Sequence, residues 1–334
     1  MSILSKYKII KELGHGMIGT VYLISVPKSK TRYALKIERI EKRDLKPNSK
    51  SSVWREINFC KKFASKYPEQ FIQMLEYDFI DTCTHIQTYS YEPKLFSQQV
   101  QNKLNRLESS EYCVRKVFDL VDGELHQLIN KLNLKQIYSM IIQVTYSINL
   151  LHSNNYIHGD IHDRNIGWIK TPSNKQIQIN RTKVPTFGYN FKLIDYGLIM
   201  RKTDIVSKQD EKNFNDNLTN ELGLIAFMLV DTKFYEFVNK NNIELNFDKN
   251  YREFKKSAWY KLISTFTPNK LFQLFLFDIM FQEQYQKMVL GEKFEKTIKT
   301  KLYVPLEDIV FIIKNYSKPN WIIRYFSSKI KKTD

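Results

Sequence analysis

The chain has 334 residues, 43% of them hydrophobic and 14% aromatic, enough to bury a large core and unlike a disordered polymer. Its formal net charge of +17 permits nucleic acid, acidic protein or anionic membrane as a partner but requires none, since a solvated lysine-rich surface accounts for it and no basic helix carries a DNA-reading motif. No apolar run reaches the roughly 20 residues of a membrane span, and the first residues lack a signal-peptide core. Cys60, Cys83 and Cys113 are widely spaced, which suits a reducing cytoplasm and argues against a disulfide framework or a zinc ribbon.

Short apolar or alternating runs at 7–14, 19–27 and 31–40 predict strands separated by glycine, proline and Ser-Lys turns. A helix is expected over about 50–66, with Ser51 or Ser52 as its cap, then strands near 71–80 and 84–90. A polar, helical insertion at about 91–110 precedes a further strand, "YCVRKVFDL". From about 124 the pattern turns helical. Ile137, Ile141, Val144, Ile148 and Leu151 recur on one face, which predicts a helix over 134–152. Helix dominates again beyond 215, and neither internal repeats nor a low-complexity linker interrupt the chain. The expected architecture is α+β: one domain over 1–334, with a β-rich lobe over 1–121 and an α-rich lobe over 122–334.

The densest cluster of chemistry is "YIHGDIHDRNIGW" at 156–168. Its "GDIHD" resembles the Gly-Asp-x-His element of calcineurin-like metallophosphoesterases. Such a two-metal site needs several His and Asp ligands from different loops. The histidines are His15, His85, His126, His152, His158 and His162, and none follows 162, so the site cannot be completed in the expected order.

A phosphotransferase reading makes demands elsewhere, and the chain meets them. Gly14, Gly16 and Gly19 form a GxGxxG in "GHGMIGTVY". A dinucleotide-binding version would open a helix there, but the β-branched and aromatic "TVYLISV" follows, so the glycines belong to a strand–loop–strand. Lys36 lies fifteen residues after Val21 in "YALKIE". Asp160 and Asn165 have Asp-x-x-x-x-Asn spacing, and "FKLIDYGL" delivers Asp195. With these motifs in this order, residues 7–230 resemble the protein kinase superfamily.

That resemblance implies a bilobal protein kinase-like fold, whose β-rich lobe carries one main helix, with ATP and Mg2+ as cofactors. Asp160 would take the proton of the attacking hydroxyl. Asn165 and Asp195 would hold the metal, and Lys36 would pair with the phosphates, held by Glu56. Glu38 and Glu41 are set aside because they lie on or beside the strand of Lys36. Gly14, Gly16 and Gly19 would cover the phosphates. Adenine would lie against Val21 and Ala34, with the hinge at Phe118, Asp119 and Leu120, and Glu124 would reach the ribose.

The pattern also departs from the family. His158-Gly159-Asp160 lacks the arginine of the usual His-Arg-Asp, so control by a phosphorylated activation segment is not expected. His162 stands where protein kinases commonly place lysine, and would be a pH-dependent cation beside the transferred phosphate. A longer gap between Asn165 and Asp195 implies an inserted hairpin at about 171–190, and no proline occurs between Pro185 and Pro268, so the Ala-Pro-Glu platform is missing and the activation segment is short. The front half is similar to casein and vaccinia-related kinases. The catalytic loop is closer to RIO-type and KEOPS-type atypical kinases and to aminoglycoside and fructosamine kinases. The resemblance therefore implies a serine/threonine protein kinase, with a small-molecule kinase or a non-catalytic scaffold as alternatives. His158 is read as packing, and Asp163 and Arg164 as surface or acceptor-side residues.

Overall fold

The computed structural model describes residues 3–16, 18–47, 51–86, 98–231, 233–241, 243 and 245–332. After a single turn, α1 (Ile3–Lys6), come β1 (Lys8–His15), β2 (Gly19–Ser25), β3 (Arg32–Arg39), α2 (Ser52–Lys62), β4 (Met74–Ile80), α3 (Gln98–Glu108) and β5 (Cys113–Asp119). The strands form one antiparallel sheet in the order β1-β2-β3-β5-β4. β-Branched and aromatic residues fill them, as a half-buried pleated surface favours. Helix α2 lays Val53, Trp54, Glu56, Ile57, Phe59 and Cys60 inward.

The second lobe is mostly helical. Strand β6 (Gly123–Glu124) and α4 (Leu125–Leu128) lead into α5 (Leu134–Ser153), whose cap Asn133 accepts a bond from Gln136 N–H. Short strands follow: β7 (Tyr156–Ile157), β8 (Ile166–Lys170), β9 (Gln176–Ile179), β10 (Thr182–Pro185), β11 (Tyr189–Leu193) and β12 (Met200–Arg201). Hairpin β9–β10 occupies the segment where the inserted hairpin is expected, between paired strands β8 and β11. The chain ends in α6 (Lys208–Met228), α7 (Lys233–Lys240), α8 (Phe247–Lys256), α9 (Tyr260–Ser264), α10 (Lys270–Met280), α11 (Gln282–Leu290), α12 (Leu306–Asn315) and α13 (Pro319–Lys332). Ile137, Ile141, Val144, Ile148 and Leu151 of α5 are all buried at the centre of this lobe. Its core continues into the first lobe through Phe59, Phe63 and Phe71, which joins the two lobes without a linker.

Two expectations need correction. Residues 84–86 form no strand, because the chain bends at 81–82 and Cys83 N–H bonds to Glu111 O, off the end of the β4–β5 ladder; 87–90, and 91–97 of the insertion, lie outside the described residues. Cys83 and Cys113 are not separate thiols but a disulfide, with Cα atoms 5.4 Å apart. Thirty residues separate them in sequence, yet pairing of Ile80 with Cys113 brings Cys83 alongside. This argues weakly against a reducing setting. Cys60 remains a free, buried thiol. Among the described residues no helix is long and apolar enough to cross a membrane.

Candidate active site

The glycine-rich hairpin joins β1 to β2, closed by a bond from Gly16 N–H to Gly19 O at 2.8 Å. At Gly19 a Cβ would lie 2.5 Å from Ile37 O, so only glycine lets β2 approach β3 this closely. Cross-strand register sets the roof of the cleft: Val21 lies opposite Lys36, Lys36 opposite Lys116, and Ala34 opposite Phe118. Because side chains alternate along a strand, Ala34, Lys36 and Glu38 share one face. Phe118 is buried, and Asp119 donates its N–H to Gln73 O at 2.9 Å. Half-exposed Leu120 follows, and Glu124 starts α4 with Oε2 3.2 Å from His126 Nδ1.

Lys36 spans the two lobes. Its Nζ is 2.7 Å from Asp195 Oδ1, 2.8 Å from Glu38 Oε1 and 4.0 Å from Glu56 Oε1. Glu38 is thus the nearer glutamate, and setting it aside for its closeness in sequence was a misreading: residues two apart on a strand point the same way. The direct partner of Glu56 is Lys116, which also contacts Glu38. Burial alone would lower the pKa of Lys36, but Asp195, Glu38 and Glu56 outweigh it and hold the ammonium charged. Lys36 in turn holds the Asp195 carboxyl well below the usual range. Burial would raise Glu38, yet the two lysines bring it down, whereas burial leaves Glu56 raised.

Asp195 has φ +56°, a left-handed conformation that aspartate tolerates better than bulkier residues and that aims its carboxylate at Lys36. Next to it Tyr196 is fully buried, its ring centroid 4.8 Å from Phe59 and 5.9 Å from His158. Its hydroxyl donates to Leu193 O at 2.7 Å, which satisfies a polar atom that the phenylalanine of the usual motif lacks. His158 packs as expected: it is buried, Nε2 donates to Ile194 O at 3.1 Å, and desolvation lowers its pKa.

In the catalytic loop Asn165 Nδ2 donates to Asp160 O at 2.9 Å and to Asp160 Oδ2 at 3.0 Å. His162 Nε2 lies 3.4 Å from the same Oδ2. The contact pulls Asp160 below, and raises His162 above, their ordinary values. Asp163 is half-buried and Arg164 exposed. Gly159 explains the missing arginine: its φ is +86°, and a Cβ would lie 2.6 Å from Leu198 O, where the short segment after Asp195 crosses the loop. The loop is anchored by Glu221 of α6, a residue that sequence reasoning passed over inside an apolar helix. Fully buried, it accepts from Gly159 N–H at 2.7 Å through Oε1, with Oε2 2.8 Å from His152 Nε2. Lys116 was also missed, although a lysine within the apolar "CVRKVF" calls for a buried acid partner.

For magnesium the donor set fits. Asn165 spends its amide nitrogen on Asp160, and Asp195 spends Oδ1 on Lys36 and on Gly197 N–H. A carbonyl oxygen and Oδ2 remain, the hard oxygen donors Mg2+ takes.

The chain matches the protein kinase domain family over residues 7–215, more than half its length. Among solved structures it is similar to the Cydia pomonella granulovirus kinase PK-1, with 21% identity and a TM-score of 0.35. That similarity covers 59% of this chain and 53% of the other, so it spans about half of the viral kinase. No curated protein matches it. Since the family match takes in the whole five-stranded sheet, the catalytic loop and the segment after Asp195, this chain belongs to the protein kinase domain family.

Proposed function

We propose that the chain is an ATP- and Mg2+-dependent protein kinase that phosphorylates serine or threonine. The carrying observation is the 2.7 Å contact of Lys36 with Asp195, which brings groups 159 residues apart to one cleft beside Asp160 and Asn165. In this reading the glycine hairpin covers the phosphates, Val21, Ala34 and the Phe118–Leu120 hinge hold adenine, and Glu124 reaches the ribose. Lys36 pairs with the phosphates. Asn165 and Asp195 would hold Mg2+, which when bound would neutralise charge on the phosphates. Asp160 Oδ2 is tied to Asn165 and His162, so Oδ1 is the atom that takes the acceptor proton. As the hydroxyl oxygen bonds to the γ-phosphorus, the bridging P–O bond breaks and the electron pair leaves with ADP. Catalysis is then positioning and charge neutralisation, with His162 as an additional, pH-dependent cation on the acceptor side.

A protein acceptor is favoured over a small molecule by the late helices. Phe272, Phe275 and Phe277 of α10, together with Ile263 of α9, are buried in the lobe's core, so these helices are spent on packing and not on an acceptor pocket. Incubation with labelled ATP and Mg2+ tests the reading, comparing autophosphorylation and generic acidic and basic proteins against a metabolite panel. Label should reach serine or threonine of protein and vanish in Asp160→Ala. Transfer to metabolites alone would establish the small-molecule alternative. Transfer that survives Asp160→Ala would sink the mechanism.

A further inference from the structure

Lys116 has no part in the reading above, yet it sits at the centre of the charge cluster. Its side chain is fully buried, a position lysine occupies only when its charge is paired. The β3–β5 register sets it directly opposite Lys36, so two ammonium groups rise side by side from one sheet face. They differ in reach. Lys36 is 15% exposed at the cleft and touches Asp195, whereas Lys116 is 0% exposed and contacts Glu38 Oε2 and Glu56 Oε2. Glu56 Oε1 makes no hydrogen bond and has Lys36 4.0 Å away.

We infer that Lys116 is a positioning residue, the standing counter-ion of the α2 glutamate, which holds α2 on the sheet and leaves Lys36 to the nucleotide phosphates. The inference rests on the phosphotransferase reading. In the usual arrangement one lysine serves both the helix glutamate and the phosphates, so control of helix placement is control of activity. Here the helix has its own buried partner. That agrees with Gly159, which leaves no arginine to grip a phosphorylated segment: placement of α2 is built in and not switched. Without Lys116 the buried pair Glu38 and Glu56 would share Lys36 with Asp195, and like charges would push α2 away. Burial by itself would lower the Lys116 pKa, but the two glutamates outweigh it and keep it charged.

Hydrogen exchange of the α2 amides tests this as a double-mutant cycle on the full chain. Lys36→Met should change α2 exchange by less than about 2-fold in the parent. In the charge-balanced Lys116→Met/Glu38→Gln background, the same change should accelerate it about 10-fold or more, because Glu56 has then lost both cations. Lys116→Met/Glu38→Gln alone should lower kcat about 10-fold while the KM for ATP stays within about 3-fold, since Lys36 still meets the phosphates. Equal effects of Lys36→Met in both backgrounds would overturn the inference, as would a KM that rises in step with the fall in kcat. A parent that transfers no phosphate would overturn the phosphotransferase reading alone, because the exchange cycle still decides the role of Lys116.

Discussion

Replacing Glu221 by alanine should damage both stability and catalysis, and the sizes can be worked from its contacts. The carboxylate is fully buried and serves the Gly159 N–H at 2.7 Å and His152 Nε2 at 2.8 Å. Alanine leaves the backbone N–H without a partner, at about 1–3 kcal/mol. It also strands His152 and opens a void, for a total of about 3–5 kcal/mol, as when one member of a buried pair is removed. Gly159 immediately precedes Asp160, so relaxation of the loop moves the carboxylate proposed as the base, and a displacement of about 1 Å costs on the order of 100-fold in rate. Glu221→Gln keeps the shape and one acceptor oxygen, and should cost about 1 kcal/mol and less than about 10-fold in kcat. Urea unfolding and initial rates at saturating ATP measure the two effects. An alanine variant within about 0.5 kcal/mol of the parent, or with an unaltered kcat, would refute the role given to Glu221.

Asp278 is buried, and burial pushes its pKa up to about 7. Its folded value exceeds the unfolded value of about 3.9, so its contribution to stability is complete below that pH and declines by about 1.4 kcal/mol per unit until about pH 7. Asp278→Asn should remove that decline in unfolding curves taken at several pH values; an unchanged slope would show that the carboxyl does not titrate there. His162, raised by Asp160, keeps its proton below its shifted pKa and loses it as pH rises through that value. The kcat/KM profile should therefore carry an alkaline limb, shifted upward from the ordinary histidine range, that His162→Lys abolishes; the same limb in both proteins would remove His162 from the acceptor side. Gly159→Ala meets Leu198 O at 2.6 Å from a left-handed backbone and should lose at least about 2 kcal/mol by thermal unfolding, whereas an unaffected Tm would mean the loop relaxes freely.

Much of the site could be read from local spacing. Asp160 and Asn165 are five residues apart in one loop, where the turn itself carries the amide to the carboxylate. Lys36 and Asp195, singled out by spacing from the glycines and by the motif "FKLIDYGL", come within 2.7 Å of each other, and α5 was legible because its apolar face recurs every turn. The features that escaped depend on which segments meet. Lys116 acquires its meaning only from lying opposite Lys36 across β3 and β5, Glu221 from the approach of α6 to Gly159, and the Cys83–Cys113 bond from β4 pairing with β5. Gly159 looked like the simple loss of an arginine until Leu198 O was seen to occupy the space of its side chain. Glu38 was misjudged from strand geometry alone, since alternation puts it beside Lys36. Periodicity and motif spacing are properties of neighbouring residues, set by backbone geometry over a turn or a strand. Register, burial and charge pairing arise when distant strands and helices exclude water from between them, and they divide the roles of two lysines on one sheet face.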